Sequence, residues 1–174
     1  MGKEKKEEVY VHGGDRGWTT IKYSGIFDFN ELMTAINSCL SDRNYIPVQK
    51  EHSEKITPAG REVVIDIEPF RDVTEYVRFN IRVSVIILRM VDILVEEDGR
   101  KVKKQKGDLE FMIKANIKKN WKKTFSKTSS GEFFRQTYEK YFTKKMLSDY
   151  EDKLEAEANE LIKRVKEVLH SFKG

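Results

Sequence analysis

The sequence predicts an α+β fold: an antiparallel sheet of about five strands on a long central β-hairpin, packed by one N-terminal helix and a long C-terminal helix. Three observations predict it. Thr74 to Val95 and Val102 to Trp121 are two long β-rich stretches flanking an Asp98-Gly99 pair, a strong short-range hairpin signal. Residues 28–42 carry a capped amphipathic helix pattern. Beyond Ser129, aromatic and then aliphatic residues recur at helical spacing.

Composition bounds the rest. A chain of 174 residues fits one domain, here 18–174 after a flexible N-terminal arm of residues 1–17, and is large enough for a core without metals or disulfides. The single cysteine, Cys39, falls on the apolar side of the predicted helix and reads as a buried, inert thiol. Residues 1–6 hold no apolar signal region, and no apolar run approaches the ~20 residues of a membrane span. A soluble, cytoplasmic protein is the expectation. Charged residues make up 36% of the chain against a typical ~25%, and glutamine is scarce, a bias of the thermophile kind.

Along the chain, Val9-Tyr10-Val11 is a short candidate strand and Gly13-Gly14-Asp15-Arg16-Gly17 a turn. Thr19 to Ser24 alternates as a strand. Asp28 is placed as N-cap with Glu31 completing a capping box, and Phe27 with Leu32 as the hydrophobic staple. Phe29, Leu32, Met33, Ile36, Cys39 and Leu40 form the helix's apolar stripe. Tyr45 to Glu51 reads as a short edge strand containing Pro47, and His52 to Gly60 as a polar loop. Glu62 to Glu68 is a strand with Val63, Ile65 and Ile67 inward, turning through Pro69 to Asp72 into the first hairpin arm. The register that pairs Ile67 with Val77, Ile65 with Phe79 and Val63 with Ile81 sets Asp66 opposite Arg78 and Glu62 opposite Arg82.

For the hairpin itself, a two-residue Asp-Gly loop mixes apolar and polar faces, because strand side chains alternate with period two. A three-residue loop, Asp98-Gly99-Arg100, is favoured, pairing Ile87 with Phe111; a bulge in either arm restores the parity equally well. Toward the tip both faces of the first arm are apolar. Ile86, Leu88, Met90 and Leu94 face outward there, as an interface or ligand-facing strip for a helix, a partner or a ligand. The C-terminal region has capping boxes at Ser129/Glu132 and Ser148/Glu151, with a break expected near Ser148. An aromatic stripe includes Phe133 and Tyr141, and the seam Leu154, Ala158, Leu161, Val165, Val168 and Phe172 follows.

No catalytic constellation emerges. His12, His52 and His170 are far apart and lack metal-ligand spacing, and there is no nucleophile elbow or phosphate loop. No metal or cofactor is expected. The informative feature is charge: residues 100–127 hold eleven basic and two acidic residues, a net charge of +9, while the whole chain nets +4. The run from Lys114 to Lys127 interleaves six lysines with Trp121 and Phe125. Lysines neutralise phosphates and aromatic rings stack unpaired bases. The candidate nucleic-acid-binding set is therefore Arg100, Lys101, Lys103, Lys104, Lys114, Lys118, Lys119, Trp121, Lys122, Lys123 and Lys127, with RNA or a ribonucleoprotein as partner. Lysines also protect sheet edges from aggregation, and on that reading the block is a solvated edge.

The order strand, helix, antiparallel strands, long last helix resembles the helix-grip fold of START-like proteins over roughly residues 19–172. That resemblance implies an alternative, a carrier holding a hydrophobic small ligand between sheet and last helix. Gly17 to Tyr23 and Val73 to Val77 are similar to segments of uncharacterised archaeal proteins, a likeness that brings no activity with it. A third expectation is a homodimer built on the outward apolar strip or on the 154–172 seam.

Overall fold

The hairpin forms and everything else is arranged around it. The computed structural model describes residues 8–12, 17–122, 129–141 and 144–171. In order, the elements are β1 (Glu8–His12), β2 (Thr19–Phe27), α1 (Phe29–Ser41), β3 (Gln49–Thr57), β4 (Gly60–Ile67) and β5 (Phe70–Asp72). The long strands β6 (Val77–Glu97) and β7 (Arg100–Lys119) follow, then α2 (Ser129–Tyr141) and α3 (Lys144–His170). All strand pairings are antiparallel. The strands occupy five lanes: β6 and β7 are central, β1 and β2 share the lane beyond β7, β4 and β5 share the lane beyond β6, and β3 is the outer edge.

The helix α1 starts where its sequence dictates. Asp28 Oδ1 accepts the Glu31 backbone N–H at 2.9 Å, and the staple residues Phe27 and Leu32 are fully buried. It ends in a Schellman arrangement. Asn44 takes a left-handed conformation (φ 59), the Tyr45 N–H donates to Leu40 O, and the Asn44 N–H donates to Ser41 O. The opposite face of the core comes from one side of the sheet: Phe79, Ile81, Val83, Val85 and Ile87 on β6 meet Leu109, Phe111, Ile113, Ala115 and Ile117 on β7, all at most 2% exposed. The α3 seam closes this core. Leu154, Ala158, Leu161, Val165 and Leu169 are buried within it, and α3 packs on β7, β1, β2 and α1. The seam is thus spent inside the chain and does not present a dimer surface; Phe172 lies outside the described residues.

A charged cluster pins α3 to the sheet. Glu157, 4% exposed, accepts from Tyr45 Oη–H at 2.7 Å and from Arg71 Nη2 at 2.7 Å. Arg71 also donates to the Arg43 carbonyl, and Arg43 pairs with Glu160. Burial, followed by the hydrogen bond to Glu157, raises the Tyr45 phenol's pKa well above its usual range, so it stays a donor.

The structure corrects several expectations. The stretch His52 to Gly60 is no loop: it completes β3, with the turn at Pro58-Ala59. Residues 49–56 are exposed, so this edge strand buries no face and shows no alternation of apolar and polar residues. The β4–β6 register lies six residues away from the expected one, pairing Ile67 with Val83, Ile65 with Val85 and Val63 with Ile87. An even slip keeps every apolar side chain on its face, so the alternating pattern cannot tell the two apart. The extra length is β5, which continues the β4 lane past Pro69, whose carbonyl accepts from the Ile81 N–H; the chain then reverses at Val73–Tyr76.

The main hairpin uses the two-residue turn. Asp98 (φ 48) and Gly99 (φ 74) both sit in left-handed conformations, and Glu97 pairs with Arg100, as a type I′ turn requires. Parity is restored by a bulge between Leu88 and Val91, where Arg89 takes φ 54 and pairing passes from Leu88–Asp108 to Val91–Lys106. Met90 is consequently drawn into the core at 3% exposure and is not part of an outward strip. Leu88 (44%) and Leu94 (68%) stay exposed, Ile86 is half-buried, and Val91, expected inward, is 41% exposed. In the helical region, Ser148 lies inside α3, so its capping box does not form; the sheet is not covered by Phe133 and Tyr141, which are exposed.

Candidate nucleic-acid interface

Cross-strand partners in a sheet share a face. The face away from α3 is therefore read directly from the register. On β6 it carries Arg78, Asn80 and Arg82, and on β7 Lys118, Asn116 and Lys114. Arg78 stands opposite Lys118, Asn80 opposite Asn116, and Arg82 opposite Lys114. The flanking lanes extend these rows. Glu8 pairs with Lys118 and Asp72 with Arg78; Tyr10 pairs with Asn116 and Phe70 with Asn80. The middle row thus runs Tyr10, Asn116, Asn80, Phe70, between two rows that each hold two cations at their centre.

Lys114 falls in a gap. Within the lane that β1 and β2 share, β1 ends its pairing at Ala115 and β2 begins at Ile113. Trp18, just before β2, lies at this gap, with Lys114 Nζ 4.8 Å and the Arg82 guanidinium 5.4 Å from its ring centre. At the other end Arg78 lies over Trp121 at 4.0 Å and over Phe70 at 4.2 Å, and grips Asp72 through two N–H···O bonds of 2.6 and 3.2 Å. Trp121 is fixed in turn by donating its indole N–H to the Thr74 carbonyl at 2.9 Å. The three rows line an open cleft of about 480 Å3 together with Lys50, Glu68 and Val48, and the two tryptophans contact the arginines and Lys114 beside it.

The charges on this face are unequally compensated. Arg78 has Asp72, and Arg82 has Glu68 at 3.3 Å and Asp66 at 3.8 Å. Lys50 also reaches Glu68. Lys114 and Lys118 form no ion pair among the described residues. Glu8, beside Lys118, is engaged by the Asn116 amide at 3.3 Å and the Tyr10 hydroxyl at 3.2 Å. Like charges directly opposite each other in a ladder cost stability, by up to ~1 kcal/mol for each pair. A sheet selected only for stability has no use for them.

The sequence-predicted set does not form one surface. Arg100 and Lys101 at the tip stand opposite Glu97 and Glu96. Lys103 pairs with Asp92 at 3.1 Å. Lys104 is 6% exposed and bonds the α1 cap, Asp28, at 3.2 Å, with Glu97 at 3.6 Å. The tip is therefore internally neutralised, and Lys104 is structural. Lys119 stands opposite the buried Val77, on the helix side of the sheet, while Lys122 pairs with Glu75 at 3.5 Å. Lys123 and Lys127 lie outside the described residues. From the set, only Lys114, Lys118 and Trp121 meet on the cleft face. Sequence reasoning missed Trp18, Tyr10, Phe70, Arg78, Arg82 and the asparagines as one group, because only the register brings them together.

The sequence matches no protein-family model and no curated protein. Among the described residues, no group of three His, Cys, Asp or Glu side chains could hold a metal ion, and no helix is long and apolar enough to cross a membrane. What the cleft can hold follows from its own chemistry: cations for phosphates, aromatic rings for stacking, and amides for hydrogen-bonding edges.

Proposed function

We propose that this protein binds single-stranded RNA on the outer face of its sheet, with Lys114 and Lys118 as the principal phosphate contacts. The observation that carries the reading is the pair of cation-on-cation rows, Arg78 with Lys118 and Arg82 with Lys114, on an open face where neither lysine forms an ion pair among the described residues. A bound polyanion relieves that repulsion and gains the release of its own condensed counterions. Trp18, Tyr10 and Phe70 beside the cations favour a strand with unpaired bases over a duplex, whose bases are shielded from stacking.

The test is a salt titration of labelled single-stranded RNA. The expected result is that Lys114→Gln and Lys118→Gln each reduce the slope of log affinity against log salt by about 0.7. Lys101→Gln and Lys103→Gln, at the neutralised tip, leave the slope unchanged. Absence of binding at low salt, or an equal loss in the tip variants, overturns the reading.

A further inference from the structure

The middle row of the cleft face contributes something that phosphate binding does not need. Lys114 and Lys118 would hold a sugar–phosphate strand without help from Asn80 and Asn116, yet these two amides stand directly opposite each other between the cation rows. Tyr10 and Phe70 close the same row on either side. Adjacent lanes are about 4.8 Å apart, so the four side chains span roughly 14 Å, wide enough to seat a base between aromatic flanks.

The two amides are in different states. Asn116 donates one N–H to Glu8, whose carboxylate is also held by Tyr10. That leaves Asn116 its carbonyl and a second N–H. Asn80 is half-buried, and its side chain has no hydrogen-bond partner among the described residues. A carboxamide offers an acceptor beside a donor. This matches the adjacent amino donor and ring-nitrogen acceptor of adenine, and an asparagine reading an adenine edge is a favoured pairing.

We infer that the Asn80–Asn116 pair, flanked by Tyr10 and Phe70, reads an unpaired adenine base, making the bound RNA base-selective. This rests on the RNA reading above and adds base selection to it. Lys114 and Lys118 hold the strand, Asn80 contacts the base edge, and Asn116, oriented by Glu8, completes the seat.

The experiment compares short homopolymers of adenylate, uridylate and cytidylate, and an inosine-substituted adenylate strand, against the full chain and against Asn80→Ala and Asn116→Ser. Thermal melting serves as the folding check. The expected result is a preference of about tenfold for adenylate, a value typical of one good amide–base contact. Inosine, which replaces the amino donor with a carbonyl, loses that preference. Asn80→Ala shrinks it to under twofold while keeping the parent's salt slope. If all homopolymers bind equally, or the preference survives in both asparagine variants, the base-reading inference is overturned and the phosphate-binding reading stands. If no homopolymer binds at low salt, both fall. Should Asn80→Ala melt early, Asn116→Ser decides between the outcomes.

Discussion

Asp28 carries two duties with one carboxylate. One oxygen caps α1 through the Glu31 N–H and the other holds the buried ammonium of Lys104, reaching across from β7. Burial acts to raise this carboxyl's pKa, but the Glu31 N–H and Lys104 outweigh it and hold the group below its ordinary 3.8. For Lys104, burial acts to lower the pKa, and Asp28 and Glu97 outweigh it, keeping the ammonium above its ordinary 10.5. Asp28→Ala loses the cap and the shorter of the two ion pairs of Lys104 among the described residues, leaving Glu97 at 3.6 Å, so it should cost about 1–3 kcal/mol in urea unfolding. Asp28→Asn keeps a cap and loses only the charge. A carboxylate with a depressed folded pKa stabilises above its unfolded pKa and loses that contribution as pH falls. The stability gap between the parent and Asp28→Asn should therefore be constant from about pH 5 to 9 and close progressively below about pH 4. A gap that widens on acidification would contradict the assignment. None of this was visible from the residues alone, since Asp28 read only as a cap and Lys104 only as one more lysine.

At the scale of elements, the decisive device is the bulge at Arg89–Met90. It needs room on both sides. A Cβ on Gly107 would come within 2.9 Å of the Leu88 carbonyl oxygen, and one on Gly60 within 2.8 Å of the Arg89 carbonyl carbon. Gly60 also takes φ +130, which side chains rarely adopt. Gly60→Val should therefore destabilise by several kcal/mol, measured by thermal or urea unfolding. Deleting Arg89 removes the extra residue itself, leaves Leu88–Asp108 and Val91–Lys106 paired and sets Met90 opposite Gly107, so it should cost less than Gly60→Val. A deletion variant that melts like the parent would show that the bulge is dispensable. The alternation of β6 and β7 made the parity problem legible, and Asp98-Gly99 made the turn legible. What the alternation could not reveal was which remedy applied, since a loop residue and a bulge change parity equally. The register slip against β4 has a related origin: period two distinguishes odd from even, not one even shift from another. Helix α1 was fully legible because its cap, staple and stripe are local.

For the molecule as a whole, composition pointed to a basic block of 28 residues, and folding breaks that block apart. Acids from β6 and Asp28 neutralise the tip, while Arg78 and Arg82, which precede the block in sequence, join Lys114 and Lys118 at the other end. Local charge density identified two of the cleft's four central cations; pairing distance in the sheet supplied the others. The shared lane on the β7 side has one further consequence. Because β1 and β2 do not form a continuous ladder, the hydrogen bonds of β1 can open without disturbing those of β2, which continue into the α1 cap. Native-state hydrogen exchange should then resolve two classes of amide along one edge, with the paired residues of β1 exchanging through a low-energy local opening and those of β2 through a costlier one. Each such opening withdraws Glu8 and Tyr10 from the cleft together, so one rim of the cleft would come and go on its own clock.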